Sequence, residues 1–147
     1  MKELSLSVVI PVYNEERTVS SIVEIVRTWG RAKEIIVVND GSTDKTDAAV
    51  KQFKNALSLI SYKTNRGKGY ALSRGIEESS GDILVFLDGD VVGLTHKDLD
   101  AMTGPVLRGN ADMVIGVARF WTMGSFTPFD DLSGERVVLR KYVSPLV

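Results

Sequence analysis

The chain has no cysteine and a single histidine, His96, in 147 residues. The first absence excludes a disulfide framework, cysteine-ligated zinc and thiol chemistry, and the second excludes histidine-rich metal sites. An excess of either charge is missing too. Eighteen Lys and Arg against 19 Asp and Glu leave a formal net charge of -1, which offers nucleic acid no basic field and no strong acidic one to other partners. No apolar run approaches the roughly 20 residues that a membrane helix requires. The start, Met1-Lys2-Glu3-Leu4, leads straight into a strand pattern without the layout of a secretory signal. Fixed-period repeats and low-complexity linkers are likewise absent. Apolar residues at 44% and charged ones at 25% are close to globular averages. A chain of this length suits one domain that buries roughly 70% of its unfolded surface. These properties describe a soluble, enzyme-like domain, expected in the cytoplasm.

The most informative segment is Phe86-Leu87-Asp88-Gly89-Asp90, which follows the apolar run Ile83-Leu84-Val85-Phe86-Leu87. Such a run reads as a strand buried on both faces. Burying an unpaired carboxylate costs several kcal/mol or shifts its pKa, so the two aspartates belong just past the strand end, facing solvent or a cation. In open α/β sheets that edge is where ligands bind.

Strand and helix patterns alternate along the rest of the chain. Leu6 to Ile10 is apolar and β-branched, and Pro11 is expected to end it. Asn14 or Thr18 would cap a helix carrying the stripe Val19, Ile22, Val23 and Val26, closed by Gly30. Ile35 to Val38 reads as a second buried strand, ending at Asn39-Asp40-Gly41, after which Ser42 or Thr43 would cap a helix through Phe53. A weaker strand spans Leu57 to Ser61, and Gly67-Lys68-Gly69 opens a helix toward Gly81. Thr95 and Asp98 form a capping-box pattern for a helix through Leu107, and Met113 to Val117 reads as a fifth strand. The alternation predicts an α/β domain, a Rossmann-like αβα sandwich with a mostly parallel sheet. Arg119 to Gly134 is rich in aromatics, Gly, Ser and Pro and reads as an irregular loop, followed by a short helix from Glu135.

A parallel sheet would bring Pro11-Val12-Tyr13-Asn14-Glu15, Asn39-Asp40-Gly41-Ser42-Thr43-Asp44 and Asp88-Gly89-Asp90 to one edge, with Lys68 nearby at a helix start. Mg²⁺ is held by one or two carboxylates together with substrate phosphates, and first helical turns offer free N–H groups to anions. Carboxylates, hydroxyls, an aromatic ring and a lysine together suit a nucleoside diphosphate. Calcium-loop spacing fails at Val92 and Leu99, and Arg66-Gly67-Lys68-Gly69 lacks the upstream glycine and hydroxyl of a P-loop.

With Val9 to Glu16, Val38 to Thr46, Asn65 to Gly69 and Asp88 to Asp90 present in that order, the chain resembles a family 2 glycosyltransferase of the GT-A fold. Its glycine-lysine-glycine segment and Leu132-Ser133-Gly134-Glu135-Arg136 look closest to the polyprenol-phosphate (dolichyl-phosphate mannose synthase-like) and glucosyl-3-phosphoglycerate synthase-like branches. The resemblance implies that Pro11, Tyr13 and Glu15 hold the nucleoside, the ring offering a stacking face. It implies that Asp40 accepts from the base edge and that Lys68 approaches the base or diphosphate. Asp88 would face the ribose or a metal-bound water, Asp90 would ligate Mg²⁺ or Mn²⁺ with Asp88 beside it, and Gly89 would let the backbone pass close to the ligand.

The acceptor side is read from the last thirty residues. Asp130, Asp131 and Glu135 are candidate bases, with Asp131 and Glu135 the selected catalytic pair, and Arg136, Arg140 and Lys141 suit a phosphorylated acceptor. The bland alternative is an amphipathic helix from Glu135 to Tyr142. The expected organisation is a single domain over residues 1–147, with a nucleotide-sugar core at 1–117 and an acceptor-side segment at 118–147. Its apolar end, Ser144 to Val147, suggests a trimmed chain. The resulting expectation is transfer of a sugar from a UDP- or GDP-sugar to a polyprenyl phosphate or a phosphoglycerate-like acceptor, with peripheral membrane contact for a lipid acceptor. A sugar-nucleotide pyrophosphorylase and a binding module without turnover are the alternatives.

Overall fold

The computed structural model describes residues 3–116 and 134–143. Four strands, β1 (Leu6–Val12), β2 (Glu34–Asp40), β3 (Ser58–Tyr62) and β4 (Ile83–Phe86), pair in parallel, joined through α1 (Val19–Trp29), α2 (Thr46–Lys51) and α3 (Lys68–Glu78). After α4 (His96–Leu107) come β5 (Met113–Ile115) and β6 (Arg136–Leu139). The six strands lie in the order β3-β2-β1-β4-β6-β5, and β6 runs antiparallel to both of its neighbours. The expected α/β architecture with a mostly parallel sheet is therefore present.

Alternation along β1 explains the layering. Val8, Ile10 and Val12 join the core formed with α1, α2 and α4, whereas Val9 faces the opposite side with Ile36, Val38 and Ala71 of α3. The α1 stripe of Val19, Ile22, Val23 and Val26 is buried, and Gly30 ends the helix in the left-handed region at φ 70°. On the other face α3 lies so close to the sheet that a Cβ at Gly75 would overlap the Val9 side chain. The capping box at Thr95 and Asp98 is formed in both directions.

Three local expectations are corrected. Pro11 does not end β1; it pairs with Val38 inside the strand. Residues 7, 9 and 11 direct their polar backbone groups toward β4, but β4 pairs only as far as Val9, whose carbonyl accepts from Leu87 N–H. The bonds to β2 come from the even-numbered residues, so that pairing does not need the N–H that proline lacks, and the ladder with β4 stops where this N–H would have continued it. Second, the helix expected from Glu135 is strand β6. Val137 and Val138 face the two different cores, so the four-residue run shows no alternation, and β-branched residues favour the strand. Third, Ser42 and Thr43 do not cap α2, which begins at Thr46 after Lys45.

Candidate active site

The loops after β1, β2 and β4 and the start of α3 surround an open cavity of about 250 Å³, lined by Pro11, Val12, Tyr13, Glu15, Asp40, Asn65, Lys68, Ala71, Asp88 and Asp90. Of the donor-side and metal residues selected from the sequence, all but Gly89 line it, and Gly89 lies between the two aspartates that do.

The Tyr13–Glu16 loop is held by side chains of the loop that follows β2. Asn14 adopts a left-handed backbone at φ 55°, its N–H donates to Ser42 Oγ at 3.0 Å, and its Oδ1 accepts from Thr43 N–H at 2.8 Å. Glu15 N–H donates to the buried Thr46 hydroxyl at 2.8 Å, which in turn donates to Asp44 Oδ1 at 2.5 Å. Glu16 Oε2 accepts from Lys45 N–H at 2.8 Å, and Asp44 Oδ2 accepts from Glu16 N–H at 3.2 Å. Asn14 is thus a loop tie rather than a helix cap. The Asp88-Gly89-Asp90 turn is fixed by Thr18, whose hydroxyl donates to the Gly89 carbonyl at 2.7 Å.

Within this frame Glu15 is electrostatically strained. Its Oε2 is buried without a hydrogen-bond partner. Burial, followed by the charges of Asp90 and Asp88, pushes its carboxyl up to about 7, while Lys68 opposes the rise. A Cβ at Gly89 would fall on the Glu15 carboxylate and against Val12, so the glycine permits a close approach within the protein itself. Asp40 is buried, and its two carboxylate oxygens accept from the Arg66 and Gly67 N–H groups at 2.8 and 2.9 Å, fastening the loop that leads into α3. Each oxygen keeps a second lone pair for a ligand. Burial and the nearby Asp40 push the Tyr62 hydroxyl well above the usual phenol range.

Lys68 Nζ lies 2.5 Å from Asp88 Oδ1. Among the described residues no group of three or more His, Cys, Asp or Glu is arranged to hold a metal, yet a divalent cation fits this edge. Two carboxylates suffice when phosphates complete the shell, and the orphaned Glu15 oxygen beside Asp88 and Asp90 calls for a cation or a donor.

The residues selected for the acceptor side separate. Asp131 lies outside the described residues. Glu135 is buried beside the site: its carbonyl accepts from Gly116 N–H at 2.9 Å, and a Cβ on the preceding Gly134 would collide with the Asp88 carboxylate. Arg136 pairs with Phe86 near the same edge. Arg140 does not join them. Its guanidinium donates to the Gly81 carbonyl and the Ser79 hydroxyl, each at 2.5 Å, at the opposite edge of the sheet, and Lys141 follows it there. His96 is exposed near Thr28 and the Ile25 carbonyl. The ties through Asn14, Thr18, Ser42 and Thr46 were missed by sequence reasoning; the dense run of hydroxyl and acidic residues in 39–47 was their only trace.

A mostly parallel sheet with an acidic cavity at its carboxyl edge is the arrangement of a GT-A type domain, and the solved structures agree. The fold superposes on glucosyl-3-phosphoglycerate synthase of Mycobacterium tuberculosis in complex with Mn²⁺, UDP and phosphoglyceric acid, with a TM-score of 0.81 and 27% identity over 96% of this chain and 57% of that one. Residues 7–136 match the family model described as glycosyl transferase family 2, and the chain belongs to that family. It is 31% identical over 124 residues to dodecaprenyl-phosphate galacturonate synthase of Rhizobium johnstonii, covering 79% of this chain and 36% of that protein. It is 34% identical over 110 residues to glucosyl-3-phosphoglycerate synthase of Mycolicibacterium smegmatis, covering 70% of this chain and 36% of that protein. The chain thus spans little more than a third of the length of these two relatives.

Proposed function

We propose that this domain binds a nucleoside-diphosphate sugar, UDP- or GDP-linked, and transfers the sugar to a phosphorylated acceptor with the help of Mg²⁺ or Mn²⁺. The observation that carries the reading is the convergence of Glu15, Asp88 and Asp90 with Lys68 around one cavity, with a buried Glu15 oxygen left unpartnered. Membership of family 2 supports it, as do relatives whose structures contain UDP with Mn²⁺ or with Mg²⁺.

In this mechanism Tyr13, 44% exposed at the rim, offers its ring to the base, with Pro11 beside it. Asp40 uses its remaining lone pairs to accept from the base edge, and Glu15 accepts from the sugar or base. Asp90, with Asp88, holds the cation, which when bound acts as a Lewis acid and neutralises charge on the departing diphosphate. Lys68 supplies a further positive charge to the phosphates. Glu135, next to the Asp88 wall, is the acceptor-side residue, and of Arg136, Arg140 and Lys141 we assign Arg136, which stays near the carboxyl edge, to an acceptor phosphate. Asp131 is retained as the second acceptor-side candidate. Polyprenyl phosphate and phosphoglycerate are the acceptor classes suggested by the relatives' names. Peripheral contact with a lipid acceptor belongs to this reading; no helix among the described residues is long and apolar enough to cross a membrane.

Calorimetric titration with UDP- and GDP-sugars, in Mn²⁺ and then in excess chelator, tests the donor half. Metal-dependent, base-selective binding is expected; binding that survives chelation undiminished refutes the metal assignment. For the acceptor side, Glu135→Gln should reduce transfer about 100-fold or more with little change in donor affinity. A loss of donor affinity instead would move Glu135 to the donor site. Tight donor binding without transfer across an acceptor panel would favour a binding module.

A further inference from the structure

The Asp88 carboxylate is closed off on one side by Gly134, which has no room even for a Cβ against it. Its accessible side is the cavity, and there the Lys68 ammonium lies 2.5 Å from Oδ1. A divalent ion on that oxygen would stand close to the ammonium, and two cations at such a separation repel each other, so the lysine opposes the metal there. The lysine is not locked in place. Its side chain is 52% exposed, it is the first residue of α3, and an exposed ion pair of this kind contributes little stability. Once displaced it stays tethered at the cavity that Glu15 and Asp90 also line, where the anions of a ligand would meet it.

We propose that Lys68 serves as an internal counter-cation for Asp88, occupying the metal's position until a nucleoside diphosphate draws it away, so that metal and nucleotide bind cooperatively. The inference rests on the donor-site reading above. A diphosphate offers Lys68 new acceptors and frees Asp88 for the metal; by linkage the metal raises nucleotide affinity by the same factor. Metal binding alone is penalised, which couples the cation to occupancy of the donor site.

The test is titration of Mn²⁺ into the protein without nucleotide, following free Mn²⁺ by electron paramagnetic resonance, for the wild type, Lys68→Met, Lys68→Arg and Lys68→Met/Asp88→Asn. The Lys68→Met protein should bind Mn²⁺ about tenfold more tightly than the wild type. Lys68→Arg should remain weak, and the double variant should lose the gain. Repeating the titration with UDP, after subtraction of protein-free UDP–Mn²⁺, should tighten Mn²⁺ binding by the wild type more than by Lys68→Met. Equal Mn²⁺ affinity of wild type and Lys68→Met, with UDP-dependent uptake intact, overturns this proposal alone. Absence of Mn²⁺ uptake by every protein even with UDP overturns the metal-site reading as well.

Discussion

The two edges of the sheet are built from similar polar residues but in opposite ways. At the amino edge Glu34, Arg140 and Asp82 each have several partners. Glu34 Oε1 accepts from the Ser7 hydroxyl at 2.5 Å and from the Ser80 N–H and hydroxyl at 2.6 and 2.9 Å, and the Ser7 hydroxyl oxygen accepts from Gly81 N–H. Arg140 is clamped to Gly81 and Ser79, and Asp82 Oδ2 accepts from the Ser5 N–H and hydroxyl. At the carboxyl edge Glu15 keeps a buried oxygen with no partner, and Asp90 stands exposed. Buried polar groups are almost always satisfied. The satisfied groups at the amino edge therefore serve stability, whereas the orphaned Glu15 oxygen at the carboxyl edge fits the ligand-binding role proposed above.

Substitutions can break or sharpen this contrast. The largest effect should come from Asp90→Ala: Mn²⁺-dependent affinity for a UDP- or GDP-sugar should fall about 100-fold, on the order of 2.7 kcal/mol, with the melting temperature unchanged. The mirror image is Arg140→Met. Stranding the Gly81 and Ser79 acceptors should cost about 2 kcal/mol in urea unfolding while leaving nucleotide binding as it was. A nucleotide-affinity loss in the folded Arg140→Met protein would undo the division of labour.

The smallest effect separates the edges by pH. Burial pushes the Glu34 carboxyl up, but its bonds from Ser7 and Ser80 outweigh this and hold it below the usual carboxylate range. Its contribution is thus present above the unfolded value of 4.5 and is lost as pH falls through the lower folded value. Glu15 has the reverse sign. With a folded value of about 7 against 4.5 unfolded, the folded state holds the extra proton, so stability declines as pH rises from 4.5 toward 7 and stays low above it. Discounted for the partial exposure of the side chain, Glu15→Gln should gain about 1 kcal/mol of stability at pH 8 and nothing at pH 4. An equal gain at both pH values would show that packing, not charge, is responsible.

The same contrast explains what the sequence made legible. The parallel core could be read because β1, β2 and β4 are long apolar runs and because α1 carries a full helical stripe. The donor residues could be located because they follow those runs directly. Misreadings arose where local signals served distant partners. Pro11 is tolerated because its pairing with β2 does not use its N–H, a fact of register, and Asn14 and Ser42 resemble caps but bond across loops 28 residues apart. Strand β6 reads as a helix in the sequence because its two valines are buried on opposite faces, and the Arg140 clamp to residues about 60 positions away follows from that strand's antiparallel insertion. The acceptor residues suffered most, since their positions depend on β6.

Insertion of β6 between β4 and β5 bears on the order in which the molecule is made. Synthesis delivers β1 to β4 first, and domains form as their chain emerges. Until residues 134–139 arrive, β4 keeps an open edge and Asp88 lacks the wall that Gly134 provides. The nascent protein would thus carry all the residues that line the cavity while one side of Asp88 stays open, and under the function proposed above any tightening of nucleotide binding on the arrival of β6 would report closure of the sheet.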